Sequence, residues 1–132
     1  MNSSDWYQKL VKPTWAPPSS VFGPVWSVLY LIIFITFGTV FYKAATKEIP
    51  WIVALPFVLN LVLNFSFTPI QFGLKNNLLA SIDILLVVAT LIWALIAIYP
   101  HMRWVSYANI PYLLWGLFAT VLQITITYLN WK

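Results

Sequence analysis

WYQKLVKPTWAPPSSVFGPVWSVLY, residues 6–30, is the stretch around which the rest of the chain is organised. Trp6, Tyr7 and Trp15 are amphipathic rings of the kind that sit at a membrane–water boundary. Pro13, Pro17 and Pro18 cannot continue a helix interior, which predicts an ordered lid loop over residues 1–19. Ser19 or Ser20 then caps a helix whose early turns carry Phe22, Trp26 and Tyr30 on one face. An aromatic wall therefore enters the bilayer directly below a stiff aromatic lid.

Working outward, composition fixes the environment. The chain has 132 residues, 61% hydrophobic and 8% charged, whereas soluble globular chains are about a quarter charged. Its mean hydropathy of +0.84 points to one integral membrane domain. With no cysteine, disulfide and thiolate chemistry are excluded. The net charge of +4 comes from scattered residues and forms no clustered basic surface, so no nucleic-acid partner is expected. The opening MNSSDWYQK lacks the basic and apolar regions of a signal peptide.

Four apolar runs, at 20–43, 51–73, 78–99 and 105–131, each reach the roughly 20 residues needed to span a bilayer. Short links between them force antiparallel neighbours, with both termini on one side. The fold class is thus all-α: a compact bundle of four transmembrane helices behind the lid loop. A soluble bundle would need polar outer faces, and LIIFITFGTVF and LLVVATLIWALIAI offer none. Orientation stays open, because Lys9, Lys12, Lys75 and Lys132 on one side balance Lys43, Lys47 and Arg103 on the other.

Polar residues within the spans mark the interior. Asn60, Asn64, Thr68 and Gln71 share one helical face, beside Phe67, and must face a partner helix or a cavity. They serve either as interhelical glue or as pocket lining. Pro56 and Pro69 bend this helix. Asp83 is the acidic residue of the apolar runs, read as a structural carboxylate bonded to nearby backbone or to Trp or Tyr donors. In the last span Tyr112, Trp115 and Ala119 share a face, and Gly116, Thr120, Gln123 and Thr127 make a small, polar stripe beside it. Pro111 should kink the first turn.

The same residues limit the chemistry. His101 is a lone histidine with no carboxylate cluster or thiol, so no metal site is expected. No base pairs with any Ser or Thr, and no glycine-rich phosphate loop is present. What remains suits a large, flat, apolar ligand with polar edges. A metal-free porphyrin or another polycycle, stacked on indoles rather than ligated, fits that inventory.

The motif resembles the tryptophan-rich sensory protein (TspO) family, whose mitochondrial relatives are called translocator protein or peripheral benzodiazepine receptor. It reads Trp6-Tyr7, Leu10, Lys12-Pro13, Trp15, Pro17-Pro18, then Phe22-Gly23-Pro24-Val25-Trp26 and Leu29-Tyr30. Leu63-Asn64, Pro69-Ile70, Phe72-Gly73, Asp83 and Pro111-Tyr112-Leu113 with Trp115, Phe118 and Ala119 extend it over nearly the whole chain.

The resemblance implies an integral protein, of the bacterial cytoplasmic membrane, that binds protoporphyrin IX or a related tetrapyrrole as sensor, carrier or scavenger. It also implies homodimers and, in some members, sterols and benzodiazepine-site ligands. The residues matching the family pocket are Trp26, Asn64, Phe67, Trp115 and Ala119, closed from above by Tyr7, Trp15 and Tyr30, with Tyr112 alongside. Asn60, Gln71 and Asp83 are structural polar residues. In some bacterial members two pocket tryptophans support light-dependent oxidative breakdown of protoporphyrin, and Trp26 and Trp115 match them. A third reading is a structural membrane subunit without a ligand.

Departures from the family pattern set further expectations. The family's first transmembrane helix has no counterpart, by truncation or as a four-helix variant, which should leave Asn60, Asn64 and Gln71 on an unfilled groove and favour a dimer. Phe65 and Phe67 stand where the family has tryptophans, and Leu122-Gln123 replaces a Leu-Asn pair. A sterol-type pattern of Leu122, Tyr128 and Lys132 is traceable.

Overall fold

The computed structural model describes residues 10, 12, 14–15, 19–70, 74 and 76–130, without the side chains of 19–22 and 68. Five helices follow in order: α1 Ser19–Ala45, α2 Trp51–Thr68, α3 Asn77–Ile98, α4 Arg103–Ala108 and α5 Ile110–Leu129. Gly23–Ala45, Asn77–Ile98 and Ile110–Leu129 are each long and apolar enough to cross a bilayer, and Trp51–Phe67 is a shorter apolar helix. The chain is an integral membrane protein.

Its burial pattern is that of a molecule solvated by lipid. Phe34 is 79% exposed and Ile96 68%, while Asn60 is fully buried and Gln123 is 4% exposed. Apolar side chains cost nothing against hydrocarbon, so the polar ones move to the interior. Trp51, Trp93, Tyr99 and Trp104 are exposed, each close to a helix end, where indole and phenol rings anchor spans.

Local signals explain where helices stop. After α1, Lys47 adopts a left-handed backbone with φ 64°. The Glu48 N–H then donates to the Lys43 carbonyl at 2.9 Å, and the Lys47 N–H to that of Ala44 at 3.1 Å. These two bonds form a Schellman stop. At the start of α3 the Asn76 side chain accepts from the Leu79 N–H at 2.9 Å, an ordinary N-cap.

The last expected span, 105–131, is in fact interrupted. Helix α4 ends at Ala108 and α5 begins at Ile110, with Asn109 between them. Pro111 has no N–H to give, so the ladder fails one turn upstream. Asn109 fixes the break by donating to the Val105 carbonyl at 2.8 Å and to Thr36 Oγ1 of α1 at 3.0 Å. Helix α2 ends at Thr68, followed by a wider turn at Pro69 and Ile70, and the rest of the expected span, 71–73, lies outside the described residues.

Packing is uneven. Helices α2 and α3 lie closely together, as do α3 and α5, whereas α1 touches α2 and α4 more lightly. The α3–α5 seam is close because Gly116 lies against Val88. At its end the Thr127 hydroxyl bonds the Asn77 carbonyl at 3.0 Å and lies 2.7 Å from Ser81 Oγ. Gln123 Nε2 reaches the same carbonyl at 3.3 Å. The small, polar stripe of α5 therefore serves helix packing.

Candidate functional site

A directed chain of hydrogen bonds crosses the bundle and joins all four long helices. Tyr30 Oη of α1 donates to Asn64 Oδ1 of α2 at 3.2 Å. Asn64 Nδ2 donates to Tyr112 Oη of α5 at 2.7 Å, and Tyr112 Oη donates to Asn60 Oδ1 at 2.8 Å. Asn60 Nδ2 ends the chain on α3, at the Val87 carbonyl (2.9 Å) and Thr90 Oγ1 (3.2 Å). Each hydroxyl spends its single proton once, so the order is fixed. The four-residue spacing of Asn60 and Asn64 brings both amides to one phenol.

This corrects the expectation that Asn60 and Asn64 line an unfilled groove. Both are buried and bonded within the chain, and Tyr112 between them is fully buried. Gln71, the third residue of that expectation, lies outside the described residues, as does Tyr7.

Aromatic rings stand around the polar chain. Trp26 and Tyr30, one turn apart on α1, have ring centroids 5.4 Å apart at an interplanar angle of 31°. Trp26 also meets the Tyr112 ring edge-on at 6.5 Å, and Phe37 reaches Tyr112 at 6.5 Å. On α5, Trp115 lies over Phe118 at 5.3 Å, and Trp15 of the lid meets Phe118 edge-on at 5.8 Å. Phe67 and Ala119 pack half-buried against the same core. The structure thus brings Trp26, Tyr30, Asn64 and Tyr112 into one cluster, and Trp15 to the α5 surface that carries Trp115.

Helices α1 and α5 face each other across these rings and not through close backbone contact. The α1–α5 boundary is thus filled by ring contacts between side chains.

Asp83 was expected to be a structural carboxylate bonded to nearby donors. It is 4% exposed, yet Oδ2 finds no hydrogen-bond partner among the described residues. A buried acidic oxygen without a donor is a net cost to the fold. Asp83→Asn is therefore expected to raise the unfolding free energy by about 1 kcal/mol. A drop of that size in detergent unfolding would instead show that the carboxyl has a donor in the membrane. Thr90 and Asn109 are polar residues that the sequence patterns did not single out, and both bond across helices. The position of Asn109 two residues before Pro111 was the available signal for a helix break.

Among the described residues there is no group of three His, Cys, Asp or Glu side chains placed to hold a metal ion. Stacking surfaces and amide or hydroxyl groups are what this interior offers a ligand.

The model of the family described as TspO/MBR matches residues 1–129. The uncharacterized membrane protein YtaB of Bacillus subtilis is 38% identical over 128 residues, covering 96% of this chain and 81% of that protein. The tryptophan-rich protein TspO of Archaeoglobus fulgidus is 37% identical, over 95% of this chain and 80% of its own. The human translocator protein is 32% identical, with 96% and 73% covered.

Proposed function

Because the chain belongs to the TspO/MBR family, we propose that it binds a porphyrin-type tetrapyrrole inside the bundle, as sensor, carrier or scavenger. The observation that supports this most is the aromatic boundary between α1 and α5, where Trp26 and Tyr112 meet ring to ring. A planar macrocycle entering there exchanges ring–ring contacts for ring–ligand contacts, each contributing about 0.5–1.5 kcal/mol beyond the area buried. The lightly packed α1 is the wall that gives way, and Trp15 of the lid covers the α5 side.

The polar chain then has a second role. Asn64 already bonds Tyr30 and Tyr112, so a ligand's polar edge that reaches its amide competes with the Tyr30 bond. At 3.2 Å that bond is one of the two longest in the chain, and Tyr30 is the chain's most exposed member at 39%. Tyr30 is accordingly the gate of the site, and Tyr112 its fixed floor.

Titrating purified protein in detergent with protoporphyrin IX, followed by tryptophan quenching, tests the proposal. Saturable quenching is expected in the parent chain, about tenfold weaker binding in Trp26→Phe, and none in Ala119→Leu, where added side chain fills the gap. Bleaching of the pigment under light would move the assignment to photo-oxidative breakdown through Trp26 and Trp115. Absence of saturable quenching in the parent would remove tetrapyrrole binding altogether.

A further inference from the structure

A recess opens where α3, α4 and the start of α5 meet, around the break at Asn109. It is a cleft of about 410 Å³, inside the roughly 300–1,000 Å³ range of ligand sites. Leu95 is its buried side, while Ile92, Ile96 and Ile110 are exposed, so it opens towards the hydrocarbon of the bilayer. Ser106 lines it too, but its hydroxyl is spent on the Leu95 carbonyl at 2.8 Å, which leaves the interior apolar.

The rim has a different character. Tyr99 and Tyr107 stand edge to face at 6.1 Å with their hydroxyl oxygens 3.4 Å apart. The Arg103 guanidinium is held over the Tyr99 ring, 5.5 Å from its centroid. Of the acidic residues described, Glu48 pairs with Lys43 at 3.4 Å and Asp83 is buried in α3, so none is an ion-pair partner for Arg103. The neighbouring Trp104 is exposed, as a residue at the membrane boundary should be.

We propose that this cleft is a bound-lipid site that holds one acyl chain of an anionic phospholipid, with the phosphate on Arg103. A hydrocarbon slot that opens into the bilayer and carries a cation at interface depth matches the two halves of such a lipid. A guanidinium offers a phosphate two parallel N–H donors, and the Tyr99–Tyr107 hydroxyl pair, which shares one proton between its members, leaves one further donor beside it. A zwitterionic lipid brings its own cation to the same place and gains less. The site is independent of the tetrapyrrole proposal and shares no residue with it.

Native mass spectrometry of the detergent-purified protein, incubated with equimolar phosphatidylglycerol and phosphatidylcholine, provides the test. The parent chain is expected to retain one phosphatidylglycerol, favoured at least fivefold over phosphatidylcholine. Arg103→Gln should bring that preference close to unity, and Ile96→Trp, which fills the slot from an exposed position, should remove the adduct of both lipids. Circular dichroism melting of both variants, at exposed sites, is expected to match the parent. Equal retention of the two lipids by the parent, or a preference that survives Arg103→Gln, overturns the assignment.

Discussion

Tyr112→Phe is expected to lower the unfolding free energy of the bundle by about 2–5 kcal/mol, although it removes one oxygen atom. The hydroxyl accepts from Asn64 and donates to Asn60, and all three residues are buried. Its loss leaves an amide donor on Asn64 and an amide oxygen on Asn60 with nothing to replace it. An average interhelical hydrogen bond in a membrane contributes only about 0.6 kcal/mol. That figure describes a bond whose groups find other partners when it breaks. Here the neighbouring hydroxyls of Tyr30 and Thr90 already spend their protons on Asn64 and on backbone carbonyls, and Phe37 packs on the Tyr112 ring. Orphaning, and not the lost bond, sets the scale.

A second substitution separates these two effects. Adding Asn60→Leu to Tyr112→Phe removes one orphan together with its partner, so the pair should be less destabilised than Tyr112→Phe alone. Unfolding in mixed micelles measures both. A cost for Tyr112→Phe under about 1 kcal/mol would mean that water or a neighbouring group reaches the site.

The architecture was legible because hydropathy reports the solvent directly. Four runs of apolar residues become four long helices, the last with the short α4 split from its start, and the Asn60–Asn64 stripe faces inward as the cost of polar groups in hydrocarbon requires. The partners of that stripe were less legible. Tyr112 was read as a ligand-facing ring from its place beside Trp115, but its hydroxyl is the junction of the polar chain. That role depends on the relative register of α2 and α5, which no pattern within either helix encodes.

Two helix boundaries show the same division. The interruption at Asn109 follows from Pro111, a local signal, though its fixing bond to Thr36 lies 73 positions away in the chain. The left-handed Lys47 carries no local signal, because glycine is the residue that normally marks such a stop. Asp83 was expected to bond nearby donors, and among the described residues its Oδ2 has none. Burial by itself, then, is predictable from sequence here, and pairing is not.

Gly116→Leu should have the other large effect, about 3 kcal/mol or more of destabilisation together with loss of tetrapyrrole binding. A Cβ added at Gly116 stands 3.2 Å from Val88 Cγ2, tighter than nearly all such contacts, so Gly116→Ala already requires Val88 to shift slightly. Alanine should cost under about 1 kcal/mol, because one methyl rotation relieves it. Leucine adds three further carbons beyond a Cβ that already crowds Val88. Helix α5 cannot relieve this by sliding along α3, since Thr127 and Gln123 tie it to Asn77 at the far end. A tilt about that tie would displace the neighbouring Trp115 and Ala119 with the helix. Stability and ligand binding are therefore expected to fall together, and Val88→Ala in the same chain should restore part of both by returning volume to the seam. If Gly116→Leu reduced stability and left protoporphyrin quenching at the parent's midpoint, the ligand would lie away from the α5 face that bears Trp115 and Ala119.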